Sequence, residues 1–332
     1  MLDKATQALP DLVSKDRLLV KLFGWNVIGF LLAFLINNFL SLSYDFPGVI
    51  QGLYSWSILG LIQLGVYVLV CIGISYLLVL KSNRTLRQDS ALVNSFNIYL
   101  IRGLFWSVLF IGIIDVAIAF VRVERIFPLY IDDDLIRLLN KPTFIGPNIH
   151  IPIFIFSFVL ALFTKTLGLV WLSLLIVLAE LLIVISRFVF SYEQPFMADL
   201  VRYWYAALFL FASAYTLYDE GHVRVDILYA GLSQKTKGLL NAVGAVFLGL
   251  TTSLLIVLIG FNGKYSIVNK PLMSFEVSQT GTVGMFVKYQ MALFLGIFGI
   301  TMAIQFVSCF FESIADYRGD SEKRKVTQEK VH

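Results

Sequence analysis

The chain has 332 residues, of which 58% are hydrophobic and only 14% are charged. A soluble domain has about a quarter of its residues charged, so this composition excludes a water-soluble protein, and its apolar content also excludes a disordered one. The 26 basic and 22 acidic side chains give a net charge of +4. Because the basic side chains are scattered between apolar segments, we expect them to set membrane orientation rather than to bind nucleic acid.

Apolar segments long enough to cross a bilayer follow one another along the chain. A spanning helix needs about 20 mainly apolar residues, and this pattern predicts an all-α polytopic membrane bundle of about eight helices, with seven as the alternative. The predicted spans are residues 18–42, 56–80, 98–121, 149–164, 166–190, 197–218, 239–262 and 288–312. Because Pro147 and Pro152 interrupt its start, the segment 149–164 is either a full span or a re-entrant segment.

Basic residues in the short loops predict the orientation of the bundle. Lys and Arg precede the first span, lie in the loop 81–97 and follow Glu312, whereas the loop 44–55 has none. Both termini are therefore expected in the cytoplasm, which requires an even number of crossings and favours eight. The loop that follows the third span also carries basic residues, but it is long and contains three consecutive acids at 132–134.

Two acidic residues, Asp115 and Glu180, fall near the middle of predicted spans. An acid there costs about 2.5 to 3.5 kcal/mol on insertion, and intramembrane acids are candidates for proton relays or ion ligands. The alternative is an acid that faces another helix and is hydrogen-bonded to Arg102, Lys165, a hydroxyl group or a partner subunit. The chain shows no paired helices broken by Gly or Pro, which are typical of substrate sites in secondary transporters.

The densest polar segment, residues 219–226, contains five ionisable side chains within eight residues. His222 and Asp226 share a face if the segment is helical, but two ligands do not make a metal site. Neither Cys71 nor Cys309 completes such a site, since no histidine lies near either in the sequence. No nucleophile is placed beside His222 either, so composition alone favours a cytoplasmic anchor. The following residues, 227–240, predict a helix along the membrane interface, with an ordinary solvated loop as the alternative.

Three segments together resemble a known family. They read Gly221-His222-Val223-Arg224-Val225-Asp226 after a span, Ser186-Arg187-Phe188-Val189-Phe190 before Leu200-Val201-Arg202-Tyr203-Trp204, and Phe275-Glu276-Val277-Ser278-Gln279-Thr280-Gly281 before Lys288-Tyr289. The first is similar to the hallmark of the small membrane subunit (Q subunit) of tripartite ATP-independent periplasmic (TRAP) transporters. The resemblance covers residues 166–312 and suggests a large variant of that subunit.

The resemblance implies a non-catalytic scaffold without a cofactor, located in the bacterial inner membrane. Such a scaffold binds a large TRAP membrane subunit, which holds solute and sodium, while a periplasmic solute-binding protein delivers the solute, commonly an organic acid. It also implies that a set of polar side chains either contacts another subunit or anchors the chain on the cytoplasmic side. These are His222, Arg224, Asp226, Glu276 and Lys288.

The resemblance divides the chain into three parts. Residues 1–165 form an amino-terminal extension of three to four spans, residues 166–312 form a four-helix domain, and residues 313–332 form a basic cytoplasmic tail. Because the resemblance begins after the extension, we expect the extension to be peripheral and removable. Two other functions stay open: an autonomous transporter or proton channel that uses Asp115 and Glu180, and a membrane enzyme that uses His222.

Overall fold

The structure is a computed structural model that describes residues 2–80, 84–126, 132–166, 168–218, 227–277 and 283–320. For residues 2–16 and 227–228 it describes the backbone alone. All regular elements within these ranges are helices, as expected where lipid offers no hydrogen-bond partner to the backbone. The predicted all-α class is confirmed.

The helices of the described ranges are labelled in chain order. They are α1 (Leu2–Ser43), α2 (Val49–Tyr54), α3 (Ile58–Leu80), α4 (Leu86–Val123), α5 (Asp133–Leu139), α6 (Pro142–Ile145), α7 (Ile151–Phe163), α8 (Leu169–Val189), α9 (Pro195–Tyr218), α10 (Ile227–Ala230), α11 (Gln234–Gly244), α12 (Thr251–Gly260), α13 (Asn269–Ser274) and α14 (Lys288–Arg318). Two π-helical turns, Gly146–His150 and Ala245–Leu250, join α6 to α7 and α11 to α12.

Seven helical segments of the described chain are long and apolar enough to cross a membrane. They are Arg17–Ser43, Ile58–Leu80, Leu86–Val123, Pro142–Phe163, Leu169–Val189, Gln234–Gly260 and Lys288–Arg318. The protein is therefore a multi-pass membrane protein.

The remaining predicted span, residues 197–218, corresponds to α9, which has 24 residues but is not among these seven. This helix carries Asp199 and Arg202 and buries the aromatic side chains of Tyr203, Trp204 and Phe211. A helix surrounded by protein needs less apolar surface than one surrounded by lipid, so the polar residues of α9 do not argue against a crossing. Its 24 residues are long enough to cross the hydrocarbon.

The fourth predicted span is a continuous helical segment of 22 residues, Pro142–Phe163. Its π turn, Gly146–His150, contains Pro147 and is followed by Pro152. Neither proline has an amide hydrogen to donate, and such positions interrupt the regular α-helical ladder. A helix of this length extends about 33 Å, enough to cross the hydrocarbon. The length therefore favours a full span over the re-entrant alternative.

The chain forms two compact units. Unit 1 consists of Met1–Ser95, Glu220–Leu255 and Met302–Val326. Unit 2 consists of Phe96–Asp219, Ile256–Thr301 and Thr327–His332. Residue 165 lies within unit 2, and the division of the chain at this residue stays a prediction.

In unit 1, α1, α2 and α3 pack against one another. A Cβ atom on Gly52 would lie 2.3 Å from the Cα atom of Gly60, so only glycine permits this close approach of α2 to α3. Asn37 and Gln63 join α1 to α3 through hydrogen bonds to each other's backbone carbonyls, at 3.0 and 3.3 Å. Interhelical amide hydrogen bonds of this kind help to hold helices together in lipid, where apolar burial supplies little driving force.

Candidate functional site

A buried polar cluster in unit 2 joins residues that are distant in sequence. Helix α4 contributes Asp115, the π turn before α7 contributes His150, and α9 contributes Tyr203. The first turn of α14 contributes Tyr289 and Gln290. These five side chains, called here the unit 2 polar cluster, are between 0% and 9% exposed.

The hydrogen bonds of the cluster form one directed chain. Tyr203 donates its hydroxyl hydrogen to Gln290 Oε1, and Gln290 Nε2 lies 3.1 Å from the Tyr289 hydroxyl. That hydroxyl lies 2.8 Å from His150 Nδ1.

The imidazole continues the chain towards α4, since His150 Nε2 lies 3.3 Å from Asp115 Oδ1. Gln290 Nε2 also lies 2.9 Å from His150 Nδ1, so the ring nitrogen beside the amide and the phenol is assigned as the acceptor. The hydrogen is then assigned to Nε2, which points it towards the carboxylate.

Asp115 also holds a buried, non-helical segment that precedes α14. Met285, Phe286 and Val287 are at most 1% exposed, and a buried backbone amide without a partner is costly. The Phe286 amide donates to Asp115 Oδ2 at 2.7 Å, and the Met285 amide donates to Asp199 Oδ2 at 3.2 Å. Carboxylates from α4 and α9 therefore satisfy two consecutive amides of this segment.

Arg122, near the end of α4, is a third charged side chain that contacts the same segment. Its Nη2 atom donates to the Gly284 carbonyl at 2.6 Å, and its guanidinium carbon lies 4.1 Å from the centre of the Phe286 ring. A cation over an aromatic face is stabilised by the ring quadrupole. Residues 284–287 are thus held by charged side chains rather than by regular secondary structure.

Two glycines allow the close packing around this cluster. A Cβ atom on Gly112 of α4 would lie 2.2 Å from Trp204 Nε1, so the bare backbone admits the indole, which donates to the Val108 carbonyl at 3.1 Å. A Cβ atom on Gly146 would lie 2.3 Å from the Phe275 ring, and that ring stacks edge-on against Tyr289 at 5.3 Å between centroids.

The geometry gives the unit 2 polar cluster a structural role, because each of its five side chains is buried and makes at least one hydrogen bond within unit 2. Such a network fixes the relative positions of the helices that supply it. Of the two interpretations of Asp115 offered by the sequence, these contacts favour an acid that faces other helices of the bundle. Its neighbours are His150 and the Phe286 amide. In the described ranges, no three His, Cys, Asp or Glu side chains gather as a metal site.

Glu180, the second intramembrane acid, is exposed on α8. Among the described residues it forms no hydrogen bond or ion pair, and it does not contact Asp115. The structure thus does not bring together the two acids that the channel hypothesis requires.

The predicted site residues Glu276 and Lys288 lie together at the start of α14. Lys288 Nζ lies 3.2 Å from Glu276 Oε2, and the two side chains are 43% and 38% exposed. The Tyr289 amide donates to the Glu276 carbonyl at 3.0 Å, which fixes the pair beside the buried segment. His222, Arg224 and Asp226 lie outside the described residues.

A second polar cluster lies in unit 1 and was not predicted from the sequence. Arg87 of α4 pairs with Glu312 and, at 2.8 Å, with Asp316 of α14. Lys21 of α1 lies 3.3 Å from Asp89 of α4, and both side chains are at most 3% exposed. The sequence does contain one sign of this cluster. Glu312 and Asp316 are four residues apart, which places both acids on one helix face, where they can pair with the same basic side chain.

Arg102, suggested as a partner for an intramembrane acid, is buried and contacts a different group. Its Nη1 atom donates to the carbonyls of Ala161 and Thr164, at 3.2 and 2.8 Å. These carbonyls are at the carboxyl end of α7, where an arginine satisfies groups that lack a helical partner. Arg102 therefore ties the end of α7 to α4.

Two surface grooves of the described chain have apolar linings. One, of about 420 Å³, lies between α1 and Leu254 of α12, and the other, of about 270 Å³, is lined by α4, Gly168 and α8. Neither lining contains a charged residue. Such surfaces suit acyl chains better than a charged solute, whose site needs convergent polar groups.

Comparison with known families matches residues 174–316 to the family described as tripartite ATP-independent periplasmic transporters, DctQ component. Searches of curated proteins and of solved structures found no match. The matched range includes Tyr203, Tyr289 and Gln290, whereas Asp115 and His150 precede it. The unit 2 polar cluster therefore joins the matched region to the extension.

Proposed function

Residues 174–316 of this chain are a region of the DctQ family, the small component of TRAP transporters, and from this premise we propose that the chain is the scaffold subunit of a sodium-coupled TRAP importer. It pairs with the large membrane subunit, which holds the solute and sodium. A periplasmic solute-binding protein delivers the solute, an organic acid or a similar solute. The chain itself carries out no catalysis.

The family match is the single observation that carries this proposal. The matched range runs from within α8 to within α14, so it includes α9 and most of the last spanning helix. The buried contacts of this range agree with a scaffold, since polar groups in the described part of unit 2 hold helices together. The proton-channel alternative loses support because Asp115 and Glu180 do not contact each other.

The proposal assigns roles to exposed polar groups of the matched range. Glu276 and Lys288, which are partly exposed, are proposed to contact another subunit. His222, Arg224 and Asp226 are proposed to anchor the chain on the cytoplasmic side. A multi-pass component of a bacterial TRAP transporter lies in the inner membrane.

We further propose that both termini face the cytoplasm. Reporter fusions after His332 and near Gln88 then report cytoplasm, and a fusion near Gly48 reports periplasm. A periplasmic signal at Gln88 would invert the orientation of the first spans.

Co-expression tests the proposal directly. The affinity-tagged chain should retain the large TRAP membrane subunit of the same cell through purification. Liposomes that contain both subunits, with the binding protein and solute outside, should accumulate solute under a sodium gradient. Liposomes that contain this chain alone should accumulate none. Sodium-driven uptake by the single chain, or the absence of any complex, would refute the proposal.

A further inference from the structure

Glu180 is an acid on an exposed face of a spanning helix, whereas Asp115, the other acid near the middle of a span, is buried. Glu180 lies near the middle of α8, a helix of 21 residues that extends about 32 Å and so matches the hydrocarbon thickness. Water does not reach this depth from either end of the helix, and lipid tails offer no hydrogen bond. Glu180 therefore needs a donor from outside the described chain.

The direction of Glu180 follows from the helix geometry. Leu172, Ile176 and Ala179 are the buried residues of α8, and their spacing defines the face that packs against the rest of unit 2. Residue 180 projects about 100° away from residue 179. The neighbours of Glu180 one turn away on this side are Val177 and Val184, which are 65% and 48% exposed. Val177, Glu180 and Val184 are called here the Glu180 flank.

We propose that the Glu180 flank binds a transmembrane helix of the large subunit, and that this helix presents a hydrogen-bond donor to Glu180 at mid-membrane depth. The inference rests on the proposed function and assigns the contact. The two valines give a smooth apolar surface, which packs in lipid through van der Waals contact, while the polar pair fixes the depth of the helix.

A second copy of this chain fits the Glu180 flank less well than the large subunit. A symmetric dimer brings the same patch of both copies together, so an interface centred on Glu180 would place two acids face to face. In the described α8, no basic residue lies within one turn of Glu180 to compensate such a pair. Two such acids could pair only by sharing a proton, whereas a donor on the large subunit would pair with Glu180 directly, so the large subunit is the partner that we assign.

Replacement of Glu180 tests the contact. Glu180→Leu should reduce the amount of large subunit retained by the tagged chain about tenfold, because the polar pair is lost while α8 becomes more apolar and inserts at least as well. Glu180→Gln keeps a hydrogen-bonding group and should recover part of the retained subunit. Normal retention by Glu180→Leu would overturn the proposal.

Leu182→Ala is the matched control, since residue 182 lies about 3 Å further along the axis and about 200° around the helix from residue 180. Leu182 is 47% exposed, and its truncation should leave retention unchanged. A photoreactive residue at position 177 should label the large subunit, and one at position 182 should label lipid.

The two proposals fail in different ways. If the wild-type chain retains no large subunit, the proposed function fails. If the wild-type chain retains it and position 177 labels only lipid or a second copy of this chain, the function stands and the assigned contact is wrong.

Discussion

Helices α4 and α8 each carry one acid within the membrane, but the two acids have opposite surroundings. Asp115 of α4 is 0% exposed, accepts the Phe286 amide at 2.7 Å and lies 3.3 Å from His150. Glu180 of α8 is exposed and has no partner in the described chain. The first therefore stabilises the fold of the chain itself, whereas the second is available to another chain.

This difference teaches that position within a span does not determine the role of an intramembrane charge. Placing either acid in lipid costs free energy, but the cost of Asp115 is offset within the chain by a ring nitrogen and a backbone amide. The cost of Glu180 is offset only when a partner arrives. The internal network thus stabilises unit 2, whereas the outward acid is the group that we propose to select a partner.

The largest expected effect comes from removal of α1–α7, which supply the paired acid. A chain that begins near Lys165, with a basic leader to restore orientation, loses Asp115, Arg122 and His150. Each buried group left without a partner costs about 1 to 3 kcal/mol. We therefore expect folded protein, measured as the monodisperse peak in size-exclusion chromatography, to fall about tenfold or more.

The full chain with the same leader is the control for this truncation. The sequence alone suggested that the extension is removable, and the contacts of Asp115 and His150 change that expectation. A truncated chain that is monodisperse and supports uptake would show that the matched region needs no partner from α4 or the π turn.

An intermediate effect is expected from His150 and Tyr289. His150→Ala leaves Asp115 and Tyr289 without their shared partner and should destabilise the chain by about 2 kcal/mol, while Tyr289→Phe removes one hydroxyl and should cost about 1 kcal/mol. Thermal unfolding of the purified variants measures both. Tyr265→Phe is the control, since Tyr265 is 89% exposed. Equal stability of all three variants would mean that the chain of hydrogen bonds does not hold the helices.

The smallest effect is expected between α4 and α14 in unit 1. Ser90 donates to the Ser308 carbonyl at 2.9 Å, and hydrogen bonds between helices in lipid average about 0.6 kcal/mol. Ser90→Ala should therefore lower the unfolding temperature slightly. Ser213→Ala, which removes a bond from Ser213 to Phe209 of the same helix, should lower it less. A larger fall in unfolding temperature for Ser213→Ala than for Ser90→Ala would contradict the role of Ser90 in joining α4 to α14.

Much of the fold was predictable from the sequence because lipid imposes simple rules. Apolar segments of about 20 residues must be helices, so the all-α class and the places of the spans followed directly. Helix α9 shows where this rule weakens. Its Asp199 and Arg202 lower the apolar content of a helix that is largely shielded by protein.

The polar clusters were harder to predict because their members are distant in sequence. Asp115 and Phe286 are 171 residues apart, and nothing in a single sequence pairs them. His150 falls at the prolines that made the fourth span ambiguous, so the irregular turn that positions its ring was also what obscured it. Glu180 and Asp115 were indistinguishable without the packing of α4 and α8.

Thermal unfolding of Asp115→Leu and Glu180→Leu, each purified without the large subunit, tests the comparison most directly. Asp115→Leu leaves the buried Phe286 amide without its acceptor and removes the carboxylate beside His150 Nε2, and it should lower the unfolding temperature by about 5 °C or more. Glu180→Leu removes an unpaired acid from an exposed apolar face and should leave that temperature unchanged or raise it. A similar loss in both variants would contradict the account, since it would mean that Glu180, like Asp115, is held by the chain itself.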